Sequence, residues 1–182
     1  MLKDWKIVSS KPVGDFRIFK IRSDEKVSPR TGQHCGFFII ESVDWVNVIA
    51  VTPQDELVMV EQYRHGSNTV ELEIPGGIMD PGETDPAATG VRELREETGY
   101  EGAEARPLGW VYANPAIMNN RSHFVVVEQC VHKYGCQFDH SEDLITRLVP
   151  WKEIPAKVRE GSIRHPLVLA ALYHYELSRR GT

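Results

Sequence analysis

One segment limits the fold more than any other. Asp85-Pro86 is a helix-start signal, an N-cap carboxylate followed by proline at the first helical position, and Gly99 is a natural residue to end the helix. A helix over 86–98 is therefore expected, and the chain on both sides of it reads as strands. Upstream lie FRIFKIRS (16–23) and GFFIIES (36–42), joined as a hairpin by SPRTG (28–32), then WVNVIAVTP (45–53), ELVMVEQYR (56–64) and TVELEIPGG (69–77). Downstream lie GWVYANP (109–115), HFVVVEQCV (123–131) and LITRLVP (144–150). WKEIPAKVREG (151–161) reads as a short helix closed by Gly161. HPLVLAALYHYELSRR (165–180) reads as a longer one, with Leu169, Leu172, Tyr173 and Leu177 as its apolar stripe. Strands, a central helix, more strands and C-terminal helices predict an α+β chain, a mixed α/β sandwich. Residues 1–43 form a β block of their own and a natural dimer interface, and 44–182 the main domain.

Composition narrows the function. The net charge of −5 argues against sequence-independent nucleic-acid binding, which needs a basic stripe, but leaves small anionic substrates open. The three cysteines, Cys35, Cys130 and Cys136, lack metal-site spacing and are expected to be reduced. MLKDWKIVSS contains no signal-like apolar run, and no long apolar stretch calls for a membrane span, so the expected compartment is the cytoplasm.

The chemistry concentrates in and before the central helix. At about 100° per residue, Ala87, Val91, Leu94 and Thr98 share one side, the expected buried face, with Gly90 beside it for close packing. Glu93, Glu96 and Glu97 fall to the side of that face, with Glu93 and Glu97 one turn apart. Carboxylates this close repel or take up protons unless a cation sits between them, and a hard divalent ion such as Mg²⁺ suits oxygen ligands. Arg92 can pair with Glu96 or with Glu83. The competing reading is a solvated acidic face with Arg92 and Arg95 as surface partners. The preceding loop, IPGGIMDPGE, packs three glycines and two prolines into ten residues, more than a plain connection needs.

Gly77, Glu83, Arg92, Glu93, Leu94, Glu96, Glu97, Gly99 and Tyr100 together resemble the Nudix box, a motif of enzymes that hydrolyse a nucleoside diphosphate linked to another moiety. The resemblance runs from about residue 44 to 175. It implies a mixed β-sheet flanked by helices, with the box as loop–helix–loop. Eight residues, not the usual seven, separate Glu83 from Arg92. The extra one is placed at Thr84, where it lengthens a loop and leaves the helix register intact, although Glu83 must then adjust to Arg92. The resemblance implies Glu93 and Glu97 as metal ligands, Glu96 next, and a backbone carbonyl of Gly76 or Gly77 to complete the shell. The ion would be Mg²⁺, with Mn²⁺ able to stand in. Arg92 and Glu83 would orient the glutamates, and Gly77 and Gly99 would be structural.

Further features resemble the ADP-ribose pyrophosphatase branch. Its general base is often a glutamate on a loop outside the box, and FDHSEDLITRLVP (138–150) fits, with Glu142 first and Asp143 second; an acid frequent in related members is replaced here by Ile145. VEQYRHG and ELEIPGG are similar to its substrate-contact strands, with Arg64 gripping a phosphate or ribose-side group and Glu73 bonding the sugar or supporting the loop. Pro115 resembles an ADP-ribose marker, while the surrounding NPAIMNNR departs from the usual loop, so GDP-sugars stay alongside ADP-ribose. Phe16, Phe19 and Trp45 are candidates to stack on the base, or are core and interface residues. The expected protein is a homodimeric hydrolase of nucleoside diphosphate sugars that engages neither nucleic acid nor membrane. The alternatives are a Nudix hydrolase of a dinucleoside polyphosphate or damaged nucleotide, and a non-catalytic nucleotide sensor of the same fold.

Overall fold

The computed structural model describes residues 2–140 and 142–181. They form two compact units, one running to Val43 and taking in Tyr112–Arg121, the other made of Asp44–Val111 and the chain from Ser122 onward.

The first unit is an antiparallel sheet in the order β1 (Lys6–Asp15), β2 (Lys20–Val27), β3 (His34–Glu41). The expected hairpin joins β2 to β3. The expected strand over 16–23, however, begins only at Lys20. Residues 16–19 turn, with the Phe16 amide donating to the Phe19 carbonyl at 2.9 Å and Arg17 at φ 71°. Asp15 drives this turn by accepting the Arg17 amide at 3.0 Å, a side-chain bond that competes with the strand ladder. β1 was not among the named strands, and its sequence carries Ser, Pro and Gly residues. An edge strand tolerates them, and the register slips between Pro12 and Gly14. Tyr112–Arg121 joins this unit through Ile40, whose amide donates to Ile117 at 2.8 Å and whose carbonyl accepts from Asn119 at 3.3 Å.

The second unit contains two larger sheets. In one, β4 (Trp45–Ala50) lies between β7 (Gly76–Ile78), antiparallel, and β10 (Arg121–Val127), parallel, with β9 (Arg106–Tyr112) outside β10. In the other, β5 (Glu56–Arg64) is flanked by β12 (Leu144–Pro150) and β6 (Thr69–Glu73), both antiparallel. β4 and β5 are consecutive in the chain yet belong to different sheets. A small pair, β8 (Tyr100–Glu101) and β11 (Val131–His132), follows the central helix α1 (Pro86–Thr98). α2 (Ile154–Arg159) and α3 (Pro166–Arg179) complete the chain.

Alternation along β4 and β10 fixes the layers. Val46, Val48, Ala50, Val125 and Val127 cluster with Leu94 of α1, whereas Ile49, Val51, Phe124 and Val126 cluster with Val168, Ala171, Leu172 and Tyr175 of α3. The sheet is thus covered by one helix on each face, as the expected α+β sandwich requires. α1 begins and ends as read: Asp85 accepts the Ala87 amide, and Gly99 is left-handed at φ 72°. Its buried face is rotated from the expected one. Thr89, Gly90, Glu93, Leu94, Glu97 and Thr98 are buried, and Val91 is exposed. Gly90 sets this rotation, because a Cβ there would lie 3.2 Å from Val48 Cγ2 and 3.3 Å from Val46 Cγ1. The same shift appears in α3, where Val168, Ala171, Leu172 and Tyr175 face inward while Tyr173 and Leu177 are exposed.

Candidate active site

The rotation of α1 gives the site its character. Glu93 and Glu97 lie on the buried face, 8% and 3% exposed, rather than beside it. Burial pushes the Glu93 carboxyl up to about 7, with the Arg92 charge offsetting part of the effect. Burial pushes Glu97 up to about 8, against a hydrogen bond from the Gly76 amide to its Oε2 at 3.0 Å. Gly77 is shaped to Glu93: a Cβ at that position would fall 2.4 Å from Glu93 Oε1. Glycine-rich β7 therefore lies directly against two carboxylates that favour the neutral form.

Arg92 partly neutralises the group. Its Nη1 lies 2.9 Å from Glu93 Oε1 and 3.0 Å from Glu96 Oε2, and its Nη2 lies 3.4 Å from Glu83 Oε2. Both pairings expected for Arg92 form, with Glu93 as a third partner. Glu83 also accepts the Asp80 amide at 2.8 Å and the Thr89 hydroxyl at 3.0 Å. The Asp80 amide, the Arg92 guanidinium and the Thr89 hydroxyl hold its carboxyl below the usual range. The extra residue before α1 thus leaves Glu83 in contact with Arg92.

Glu93, Glu96 and Glu97 line a pocket of about 490 Å³ together with Arg64, Asp139 and Glu142. Glu142 caps its own loop, accepting the Asp139 amide at 2.9 Å. That loop is strapped to the C-terminal end of α1. The Gln137 amide donates to the Glu96 carbonyl at 2.7 Å, the Lys133 and Tyr134 amides donate to Gly99, and the Arg95 guanidinium lies 4.1 Å from the Tyr134 ring centroid. Asp143 does not line the pocket.

Arg64 and Glu73 meet through two bonds of 2.8 Å, Nε to Oε1 and Nη2 to Oε2. Glu73 is 1% exposed and commits both oxygens to Arg64, so it supports the arginine. Trp45, Arg64, Gly76, Gly77 and His165 line an adjoining pocket of about 250 Å³. Phe16 and Pro115 belong to the first unit, where the Phe16 ring stacks on Phe19 with centroids 5.1 Å apart. Sequence reasoning missed Asp139 and His165. Asp139 stands in the acidic run already singled out, whereas nothing local marks His165.

Among the described residues, no group of three His, Cys, Asp or Glu side chains is already gathered as a metal cage. Arg92 holds Glu93 and Glu96, and Gly76 holds Glu97. The donor set nevertheless fits a hard cation: carboxylate oxygens converge on one pocket, and burial pushes two of those carboxyls toward the neutral form, which a bound cation would reverse.

A model of the NUDIX domain matches residues 43–170. The chain belongs to the Nudix family. The family model thus takes in the whole of α1 and the loop that carries Glu142. The chain is 34% identical over 143 residues to the methanol dehydrogenase activator of Bacillus methanolicus, which covers 77% of this chain and 76% of that protein. It is 33% identical over 91 residues to the ADP-ribose pyrophosphatase of Bacillus subtilis, half of this chain and 49% of that one. It is 26% identical over 171 residues to the ADP-ribose pyrophosphatase of Mycobacterium tuberculosis, 93% of this chain and 82% of that one. A crystal structure of an ADP compounds hydrolase matches with a TM-score of 0.86 at 20% identity, covering 100% of this chain and 97% of that one, which establishes the Nudix fold here.

Proposed function

We propose that this Nudix protein hydrolyses the pyrophosphate bond of nucleoside diphosphate sugars, ADP-ribose among them, to a nucleoside monophosphate and a sugar phosphate. The observation that carries this reading is the pair of buried, charge-deficient carboxylates, Glu93 and Glu97, in a pocket that also holds Arg64 and Glu142. Glu93 and Glu97, with Glu96 beside them, would hold a divalent cation, Mg²⁺ for preference. Such an ion neutralises phosphoryl oxygens and acidifies water. Glu142 serves as the general base and takes the proton of the attacking water. That water adds to one phosphorus, the bond to the bridging oxygen breaks, and the oxygen leaves with the other phosphate. Arg64, fixed by Glu73, offers its remaining guanidinium edge to the substrate's phosphate. Arg92 and Glu83 hold the glutamates in place, and Trp45 gives the adjoining pocket an aromatic wall for a base.

The ADP-ribose pyrophosphatases among the relatives support this substrate class. The test is incubation with Mg²⁺ and a panel containing ADP-ribose and GDP-sugars, followed by separation of the products. Paired release of monophosphate and sugar phosphate is expected. Binding without turnover across the panel would overturn the reading. A second reading, an activator of a dehydrogenase, draws on the Bacillus methanolicus relative. It predicts that the protein raises the rate of a methanol dehydrogenase in a coupled assay.

The first unit leaves Ile18 76%, Phe38 66% and Val13 56% exposed. We assign this apolar surface to a second copy of the chain. Sedimentation is expected to give a dimer that Phe38→Glu weakens, and a monomer at micromolar concentration would contradict the assignment.

A further inference from the structure

Beside the catalytic pocket lies another, of about 460 Å³, lined by Arg64, His65, Ser67, Glu71, Arg164 and His165 among others. β6 builds it. Glu71 and Glu73 point to the same face of that strand, and each is buried under one arginine. Arg164 donates Nε and Nη2 to Glu71 at 2.8–3.0 Å, as Arg64 does to Glu73 at 2.8 Å. Buried ion pairs of this kind add little net stability, because desolvation consumes the Coulombic gain. What they do provide is orientation. Each guanidinium is clamped by one edge, and among the described residues neither Nη1 has a protein acceptor.

His165 adds a further donor. His165 Nδ1 accepts the Leu167 amide at 3.2 Å, so the neutral ring carries its proton on Nε2. The oxygens of Glu71 are taken up by Arg164 and Thr69, and those of Glu73 by Arg64. Two clamped guanidiniums and an imidazole N–H therefore surround a space in which the carboxylate acceptors are already used. That chemistry selects an oxyanion.

We propose that this pocket is a second anion subsite, taking a phosphate monoester that the substrate carries apart from its pyrophosphate. The proposal rests on the nucleotide reading above and deepens it. Arg64 lines both pockets, so one extended ligand can reach from the carboxylates of α1 to Arg164. The phosphate can come from either end of such a ligand, on the nucleoside ribose or on the distal sugar.

The experiment compares ADP-ribose with ADP-ribose 2′-phosphate and ADP-ribose 1″-phosphate for the wild-type protein, Arg164→Gln and Arg164→Lys. One phosphorylated compound is expected to show a KM about tenfold below that of ADP-ribose, the scale of a charge-assisted hydrogen bond. Which one it is identifies the end that reaches the pocket. Arg164→Gln is expected to bring that KM ratio to about one, and Arg164→Lys to keep part of it. Equal KM values for all three compounds with the wild-type protein, or a ratio that Arg164→Gln leaves untouched, would overturn the proposal. If none of the three is turned over, the pyrophosphatase reading fails separately. Calorimetric titration with inorganic phosphate then decides the subsite, with binding weakened about tenfold by Arg164→Gln expected and equal binding by both proteins contradicting it.

Discussion

Four buried glutamates in one unit fall into two pairs that solve the same problem differently. Glu71 and Glu73 on β6 each bring a cation with them, Arg164 and Arg64, and each is met through both edges of its carboxylate. Arg164 holds the Glu71 carboxyl below its ordinary range. Glu93 and Glu97 on α1 are as deeply placed, but Glu93 shares Arg92 with Glu83 and Glu96, and Glu97 is met by the Gly76 amide and, among the described residues, by no ion pair. Their carboxyls rise to about 7 and about 8. The β6 pair is complete within the chain. The α1 pair lacks positive charge, which the proposed function supplies from solution.

The largest expected effect separates the pairs by turnover. Glu97→Gln is expected to lower kcat roughly a thousandfold, the several kcal/mol that a bound metal ion contributes, while the fold is kept. Full activity in that variant would place the α1 pair in the same structural class as the β6 pair. Stability should respond in the opposite sense. Arg64→Leu leaves Glu73 buried without its cation, and urea unfolding is expected to show a loss of about 2–3 kcal/mol, less than breaking a fully buried pair costs because Arg64 is itself partly exposed. Glu97→Gln in metal-free protein is expected to be neutral or slightly stabilising, since the neutral carboxyl is already favoured.

A smaller effect tests how Glu142 reaches the α1 pair. Tyr134→Leu removes the ring under Arg95 and should lower kcat about tenfold with KM held, an outer-shell loss that Tyr134→Phe restores. In a Glu142→Gln background the same change should do nothing further. An additive loss in the double variant would show that Tyr134 does not act through Glu142.

The smallest effect is on pH dependence. Both α1 carboxyls have folded-state values above their reference of 4.5. Their contribution to stability is therefore complete below about pH 4.5 and is lost as pH rises through about 7 and 8. Metal-free protein should show a Tm that rises on acidification from pH 8.5 to 6, and saturating Mg²⁺ should flatten that slope. A Tm independent of pH in metal-free protein would contradict the charge deficit.

The sequence made one part of this comparison readable and hid the other. The ends of α1 and its acidic spacing are local properties, settled by Asp85, Pro86 and Gly99 within a few positions. Which face is buried was not local. Val91 looked like core, but the close approach of Val46 and Val48 to Gly90 turned the helix and carried Glu93 and Glu97 inward. Arg164 and Glu71 stand 93 positions apart, so nothing in the sequence near either marks their pairing. β1 is an edge strand, a property of the sheet that lets it carry its proline and serines.

The central claim is that the α1 pair awaits a divalent cation. Its most direct test is calorimetric titration of Mg²⁺ into metal-free protein at pH 7 in buffers of different ionisation enthalpy. Deprotonation of Glu97 and Glu93 predicts release of about one proton per ion bound, with both binding and release lost in Glu97→Gln. Mg²⁺ binding without proton release, or equal binding by the variant, would contradict the claim.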